Sequence, residues 1–178
     1  MHVLNVHERS FNISAEKAGA LIDSLASPAD RLWAHELWPR MEFDRPLGIG
    51  AIGGHGPIRY SVEQYRPGNV VLFRFSGPPG FDGYHGFFVI SVDGKTILRH
   101  TLEMNAHGPA LLSWPLIFRP LHDALIEDTL AKAEISLGRP PTVVAWSPWV
   151  RILRWLFSRG RARPQRFDEG ATQRTSVG

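Results

Sequence analysis

Eight histidines are the residues of this chain whose chemistry could matter most, and their spacing limits what they could do. They are His2, His7, His35, His55, His85, His100, His107 and His122. No two of them form an HExxH motif or a comparable ligand spacing, so a metal site would need groups from distant parts of the chain. The sequence therefore predicts no metal ion and no other cofactor.

His122 and Asp123 are adjacent, as a general base and the carboxylate that orients it could be. Successive residues of a helix do not face each other, so a helix would hold these two side chains apart. We expect the pair to lie on a helix surface, close to the first turn after Pro120.

Several other motifs of catalytic or cofactor-binding sites are missing. The chain has no cysteine, which excludes disulfides, thiolate metal sites and cysteine nucleophiles. No Gly-x-Ser-x-Gly elbow is present, so a serine hydrolase has no support. Residues 48–53 (GIGAIG) match the glycine spacing of dinucleotide-binding loops but lack a strand before them and a helix after them. We interpret them as a glycine-rich hairpin between two strands.

Composition and charge indicate one globular domain with a different tail. The 178 residues are 43% hydrophobic and 21% charged. Residues 1–134 carry 12 Lys and Arg against 15 Asp and Glu, whereas residues 135–178 carry 8 against 2. Because the body has no basic surplus, we expect no nucleic-acid partner. No membrane span or secretory leader is apparent, so we expect a cytoplasmic protein, with membrane association as an open alternative.

The elements that would position the histidines begin with a strand and two short helices. The strand covers residues 2–13, and Ser14 caps a helix over residues 15–25. The Ser27-Pro28 pair stops this helix and starts a second one, over residues 28–36. Four strands follow, over residues 58–65, 70–76, 84–92 and 96–104. Their alternation predicts an antiparallel sheet with one face covered.

A long helix closes this order of elements. It should start at Ser113 and end at Gly138, with a kink or break near Phe118 to Pro120, because proline removes a backbone donor inside the helix. Its apolar residues lie on more than one side, so two other elements must cover it. A strongly curved sheet wrapped around this helix would provide one cover.

The order of elements over about residues 1–137 resembles the START-like superfamily, whose helix-grip fold is also described as polyketide cyclase or dehydrase-like. Local resemblance lies in the run from Ile13 to Glu16, in Leu37 to Pro39, and in residues 121–128 of the last helix. The resemblance implies an α+β fold with a hydrophobic cavity for lipids, sterols or polyketides. It carries no functional residue across, because the superfamily has no universal active-site motif.

Strand alternation predicts which side chains face this cavity. The inward set mixes large apolar groups with a few polar ones, as ligand pockets do. Its predicted ligand-binding members are Tyr60, Gln64, Phe73, Phe75, Phe88, Leu98, His100, Leu102 and Met104, with Ile90 beside them. The same side chains could instead fill a solid core, and the pattern leaves both possibilities open.

His100 is the best single candidate for chemistry. An imidazole on the covered face, near Tyr60 and Gln64, could hold a carbonyl or phenol, or it could transfer a proton. We expect it to anchor a passively bound hydrophobic small molecule. The alternative function is an enzyme: a cyclase, aromatase or dehydratase that acts on a polyketide-like substrate.

The tail divides into two further segments. Residues 139–166 comprise a proline-rich linker and a basic amphipathic helix from Ser147 to Ser158, and residues 167–178 are expected to be disordered. One side of this helix carries Trp149, Ile152, Leu153, Leu156 and Phe157, and the other carries Arg151, Arg154 and Ser158. The helix could dock on the domain, pair with a second subunit, or lie on an anionic membrane through Trp149, Arg151, Arg154 and Trp155.

Overall fold

The computed structural model describes residues 1–158 and residue 165, so the predicted disordered segment 167–178 lies outside the described residues. Seven strands form one antiparallel sheet in the order β1-β7-β6-β5-β4-β3-β2. They are β1 (His2–Phe11), β2 (Glu42–Phe43), β3 (Ile52–His55), β4 (Ile58–Arg66), β5 (Val70–Gly77), β6 (Phe81–Val92) and β7 (Lys95–Ala106). The glycine-rich residues 48–53 lie between β2 and β3 and enter β3, as the hairpin interpretation required.

The helices are α1 (Ala15–Asp23), α2 (Ala110–Ser113), α3 (Arg119–Ser136) and α4 (Pro148–Phe157), with a π-helical segment (Trp114–Phe118) between α2 and α3. The predicted long helix is therefore α2, the π-helical segment and α3 in succession. It starts at Ala110 rather than Ser113. It ends as predicted, because Gly138 adopts a φ of 71° that glycine tolerates and that closes the helix. The predicted α+β class, with a sheet around a long helix, is confirmed.

The π-helical segment is the interruption that Pro120 predicted. Proline has no N–H to offer the carbonyl of Leu116, four residues earlier. That carbonyl instead accepts a hydrogen bond from the indole Nε1 of Trp149, at 2.7 Å. The irregularity therefore gives α4 a polar attachment point on the long helix.

The predicted second helix, over residues 28–36, is wrong: these residues form turns. The cause is Asp30, whose carboxylate accepts hydrogen bonds from the backbone N–H groups of Ala26, Leu32 and Trp33 at 2.8–2.9 Å. Such side-chain bonds satisfy the donors that a helix would otherwise pair. The turns place the Trp33 indole in the core, where only 1% of the residue is exposed.

Three predicted inward residues, Gln64, Phe88 and Ile90, lie elsewhere. In β4, Val62 pairs with Phe73 but Gln64 pairs with Leu72, so Glu63 is a bulge and the alternation shifts, leaving Gln64 exposed. In β6, Phe87 pairs with His100 across the sheet and is buried, which puts Phe88 on the opposite face. The same alternation moves Ile90 to that opposite face. Because residues 87–90 of β6 (FFVI) are all apolar, the alternation of apolar and polar residues could not show which face of this strand points inward.

Helix α4 packs on the domain. Ser147 caps it as predicted, since its side chain accepts a hydrogen bond from the Val150 N–H. Val150 and Leu153 are buried. Arg154, predicted on the polar side, is also buried. Its guanidinium lies 4.0 Å from the ring centroid of Trp38 and 4.1 Å from that of Trp146. Cation–π contacts with these two indoles offset part of the cost of removing the charge from water.

Candidate functional site

A cavity of about 820 Å³ lies between the sheet, the long helix, the turns after α1 and the end of α4. Most of its wall is aromatic or aliphatic. The large aromatic side chains on it are Trp33, Trp38, Phe75, Phe81, Trp114, Phe118 and Phe157. This volume falls within the usual range for small-molecule sites, roughly 300–1,000 Å³.

Five histidines interrupt the apolar wall: His35 in the turns after α1, and His55, His85, His100 and His122. His85 and His100 project from the neighbouring strands β6 and β7, and their Nδ1 and Nε2 atoms lie 3.4 Å apart. The ring of His100 lies 5.1 Å from that of His122, which comes from α3. At the other end, His55 Nδ1 lies 2.9 Å from the hydroxyl of Tyr60, whose ring packs 4.7 Å from His85.

The His85–His100 pair retains hydrogen-bonding capacity whichever tautomer it adopts. One imidazole donates to the other through His85 Nδ1 and His100 Nε2. The remaining nitrogens, His85 Nε2 and His100 Nδ1, are buried without a partner among the described residues. A neutral imidazole has one donor and one acceptor, so the pair offers one free donor and one free acceptor. Unpaired buried polar groups of this kind are unusual and costly.

Burial keeps His55, His85 and His100 neutral. It lowers the pKa of His55 to about 3, and repulsion from Arg59, or from His122 if that ring is protonated, adds to the effect. Burial, reinforced by the other imidazoles, also lowers the pKa of His85 and of His100 well below the ordinary value. For the same reason the pKa of the Tyr60 hydroxyl is raised well above its usual range.

The predicted ligand-binding residues divide into three groups. Phe75, His100 and Leu102 line the cavity. Four others are buried without lining it, namely Tyr60, Phe73, Leu98 and Met104, and of these Tyr60 contacts the wall through His55. Gln64 and Phe88 do not line the cavity, because the β4 bulge exposes the first and the alternation of β6 turns the second to the opposite face.

Sequence reasoning missed four of the five cavity histidines, namely His35, His55, His85 and His122. His85 was missed because the inward face of β6 was assigned to the wrong alternation. His122 is not on a helix surface: its side chain is 15% exposed and contacts Trp114 and His100. A signal was present, since His122 precedes the buried pair Leu125 and Ile126 by three and four residues and so shares their side of the helix.

A polar cluster lies behind His122, where α3 meets β1. His7 Nδ1 is 2.7 Å from Glu127 Oε1, and His7 Nε2 is 3.3 Å from Asp123 Oδ1. Burial opposes a charge on His7, but these hydrogen bonds outweigh it and raise its pKa to about 9. Arg9 pairs with the other oxygen of Glu127.

Solved structures with the same architecture were found, although no protein-family model and no curated protein matches the sequence. CalU16 from Micromonospora echinospora is 10% identical with a TM-score of 0.55, covering 88% of this chain and 84% of its own. Ara h 8.0201 is 10% identical with a TM-score of 0.54, and the match covers 78% of this chain and 100% of Ara h 8.0201. Norcoclaurine synthase from Thalictrum flavum is 14% identical with a TM-score of 0.56, and the match covers 78% of this chain and 96% of the synthase chain. This is the helix-grip fold. The fold expected from the START-like resemblance is therefore confirmed.

The buried histidines His55, His85 and His100 predict a particular loss of stability in acid. Their pKa values are lowered in the folded protein, so the unfolded chain takes up their protons first, and stability falls as pH drops from 6.5 towards about 3. Each such histidine lowers the free energy of unfolding by about 1.4 kcal/mol for each pH unit of acidification in this range. We expect His85→Phe, which keeps the ring stacking with Phe75, to remove the contribution of one histidine from the slope of unfolding free energy against pH. Urea unfolding at a series of pH values measures it, and an unchanged slope in the variant would contradict the assignment.

Proposed function

We propose that the protein binds an apolar small molecule carrying at least one hydrogen-bonding group, such as a carbonyl or hydroxyl, inside this cavity. The observation that carries the proposal is the pair of unpaired imidazole nitrogens, His85 Nε2 and His100 Nδ1. A carbonyl oxygen could accept from the free donor, and a hydroxyl could satisfy either nitrogen. Closing a buried hydrogen bond of this kind recovers about 1–3 kcal/mol.

The wall of the cavity narrows the class of ligand. Trp33, Phe75, Phe81 and Trp114 provide flat apolar surfaces around the imidazoles. Aromatic walls with few polar groups favour flat, largely unsaturated molecules, because ring faces and edges pack well against them. A polyketide-like or other polycyclic compound suits this wall better than a highly polar metabolite. The norcoclaurine synthase structure is itself that of a point mutant in complex with a transition state analogue, so a protein of this fold can bind a small molecule.

Catalysis is the second candidate, and one observation favours it. Tyr60, His55, His85, His100 and His122 form a continuous series of polar rings along the cavity. Neutral imidazoles next to a bound carbonyl could move a proton, as a cyclase or dehydratase requires. The two functions differ in one respect: a binder releases the compound that entered, whereas an enzyme releases a different one.

Partly filling the cavity should weaken binding of an apolar ligand. Leu121 lines it, so Leu121→Trp should weaken binding of the apolar dye anilinonaphthalene sulfonate at least tenfold, about 1.4 kcal/mol. Leu112→Trp is the matched control, because Leu112 belongs to the same long helix but is 71% exposed. Fluorescence titration measures both affinities. Equal affinity in the two variants would show that the dye binds elsewhere and would remove support for the cavity as the binding site.

We also propose that the outer face of α4 contacts an anionic membrane. This exposed apolar face consists of Trp149, Ile152, Trp155, Leu156 and Phe157, each at least 46% exposed. Phe157 and Ser158 also line the cavity, so the face adjoins its entrance. Arg151 is exposed beside it, and no acidic residue occurs between Glu134 and Asp168.

The chemistry of this face suits a bilayer interface. Tryptophan rings partition to the level of lipid headgroups, and each cation near an anionic surface contributes about 1 kcal/mol. No helix in the described part of the chain is long and apolar enough to cross the membrane. Of the four residues predicted to make this contact, Arg154 is withdrawn, because it is buried between Trp38 and Trp146. An apolar ligand could then enter the cavity from the phase in which it dissolves.

Point variants test the membrane contact better than truncation, since truncation would also remove the buried Val150 and Leu153. The double variant Ile152→Glu and Trp155→Glu should lower co-sedimentation with phosphatidylserine vesicles at least tenfold, because charge is costly at an apolar interface. Leu4→Glu, at an equally exposed leucine of β1, is the control. Equal sedimentation of all three proteins would reject the membrane contact. A wild-type dimer lost in the double variant would assign the face to a second copy instead.

A further inference from the structure

Three potential metal ligands converge on the outer side of the cavity wall, and they come from two different elements. His7 is on β1, and His122 and Asp123 are on α3. One ligand atom from each lies within 4.8 Å of the others. This group is separate from the His85–His100 pair, so a metal ion could bind here whether or not the cavity holds the proposed ligand.

The distances approach those of a bound ion. Zn²⁺ bonds nitrogen and oxygen at about 2.0–2.1 Å, so two ligands of a tetrahedral ion lie about 3.3 Å apart. His7 Nε2 and Asp123 Oδ1 are 3.3 Å apart, and His122 Nδ1 and Asp123 Oδ1 are 3.6 Å apart. Two of the three ligand spacings are therefore close to the required value. The third spacing, between the two imidazoles, is at most 4.8 Å.

His122 distinguishes a metal site from an ordinary ion-pair network. A protonated His7 between Asp123 and Glu127 would account for the contacts of His7 without any metal. This ion-pair arrangement leaves both ring nitrogens of His122 buried and without a hydrogen-bond partner among the described residues. The 3.6 Å from His122 Nδ1 to Asp123 Oδ1 is too long for a hydrogen bond. An ion bound through Nδ1 would satisfy one of these atoms. A ligand in the cavity could satisfy the other, because His122 also lines the cavity.

The surroundings of His7 match those of a metal-bound histidine. Such histidines usually donate their second N–H to a carboxylate, which fixes the ring and raises its basicity. His7 Nδ1 makes this contact with Glu127 at 2.7 Å, and Arg9 in turn fixes Glu127. The Asn5 side-chain amide donates to Asp123 Oδ1 at 2.9 Å, so the carboxylate is also held in place.

Charge and donor type select the ion. The carboxylates of Asp123, Glu127 and Glu134 face the guanidinium groups of Arg9 and Arg119, which leaves one net negative charge when both imidazoles are neutral. Two imidazoles and one carboxylate suit first-row divalent ions such as Zn²⁺, Fe²⁺ and Co²⁺, and disfavour Mg²⁺ and Ca²⁺. The Asp123 side chain is 36% exposed, so the ion can enter from solvent.

We propose that His7, His122 and Asp123 bind one divalent transition-metal ion, Zn²⁺ in the first instance, between β1 and α3. Glu127 acts as a positioning residue for His7. Because His122 also lines the cavity, the ion would lie next to the proposed ligand site. It would then be a structural connection between the strand and the helix that enclose the cavity.

Calorimetric titration of tag-free, chelator-treated full-length protein with ZnCl₂ tests the proposal. We expect saturation at one ion per chain, no heat from MgCl₂, and a visible absorption band when CoCl₂ replaces zinc. Asp123→Asn and His122→Phe should each weaken Zn²⁺ binding at least tenfold. Glu127→Gln should weaken it by about 10-fold to 100-fold, as expected of a carboxylate that orients a ligand.

His2→Ala is the matched control, because His2 forms an exposed pair with Glu103 on the same sheet, at 3.3 Å, and no third potential ligand joins them among the described residues. It should leave binding unchanged. Thermal unfolding without metal verifies that each variant folds. If His122→Phe does not fold, Asp123→Asn still tests the proposal, because the Asp123 side chain is 36% exposed. Absence of saturable binding in wild type, or equal affinity in wild type and Asp123→Asn, would overturn the proposal.

Discussion

The structure depends on one buried carboxylate, Asp128 of α3, which is 1% exposed. Its Oδ2 accepts hydrogen bonds from the indoles of Trp38 and Trp146, both at 2.8 Å, and its Oδ1 accepts one from Gln165 at 2.7 Å. Burial raises the pKa of Asp128, and these hydrogen bonds act in the opposite direction. A buried acid is tolerable only when it is fully paired, so three distant parts of the chain must meet at this point.

This meeting point organises the second covering layer of the long helix. Trp38 belongs to the turns after α1, and Trp146 precedes α4, so Asp128 attaches both segments to α3. Arg154 is stacked between the same two indoles, and burial lowers its pKa to about 10. Those segments form one side of the cavity. The cavity therefore exists because the sheet covers one side of α3 and the segments held by Asp128 cover another.

Local signals in the sequence predicted the boundaries that local chemistry decides. Gly138 ended the long helix and Ser147 began α4, because a left-handed residue and a side-chain cap depend on a few neighbouring atoms. The interruption at Pro120 was predictable for the same reason. Features set by distant partners were not predictable, such as the bulge at Glu63 and the inward face of β6. The Asp30 turns were missed although their hydrogen bonds are local, because the Ser27-Pro28 pair is also a helix-start signal.

The candidate site shows the same division. His100 was found because strand β7 alternates cleanly, with Leu98, His100 and Leu102 all buried. His85 and His55 needed the register of other strands, and His122 needed knowledge of which side of α3 faces the cavity. Residues 48–53 supply only a turn and the start of β3, and no part of the site. The polar character of the cavity emerges only when histidines from three strands and a helix are brought together.

The central claim is that the cavity holds a small molecule whose polar group meets His85 and His100. Native mass spectrometry of the protein purified from its own host tests this claim most directly. We expect a complex heavier than the polypeptide, which releases one apolar compound with a carbonyl or hydroxyl group on denaturation. Observation of the bare polypeptide mass alone, both as purified and after incubation with an apolar extract of the host, would contradict it.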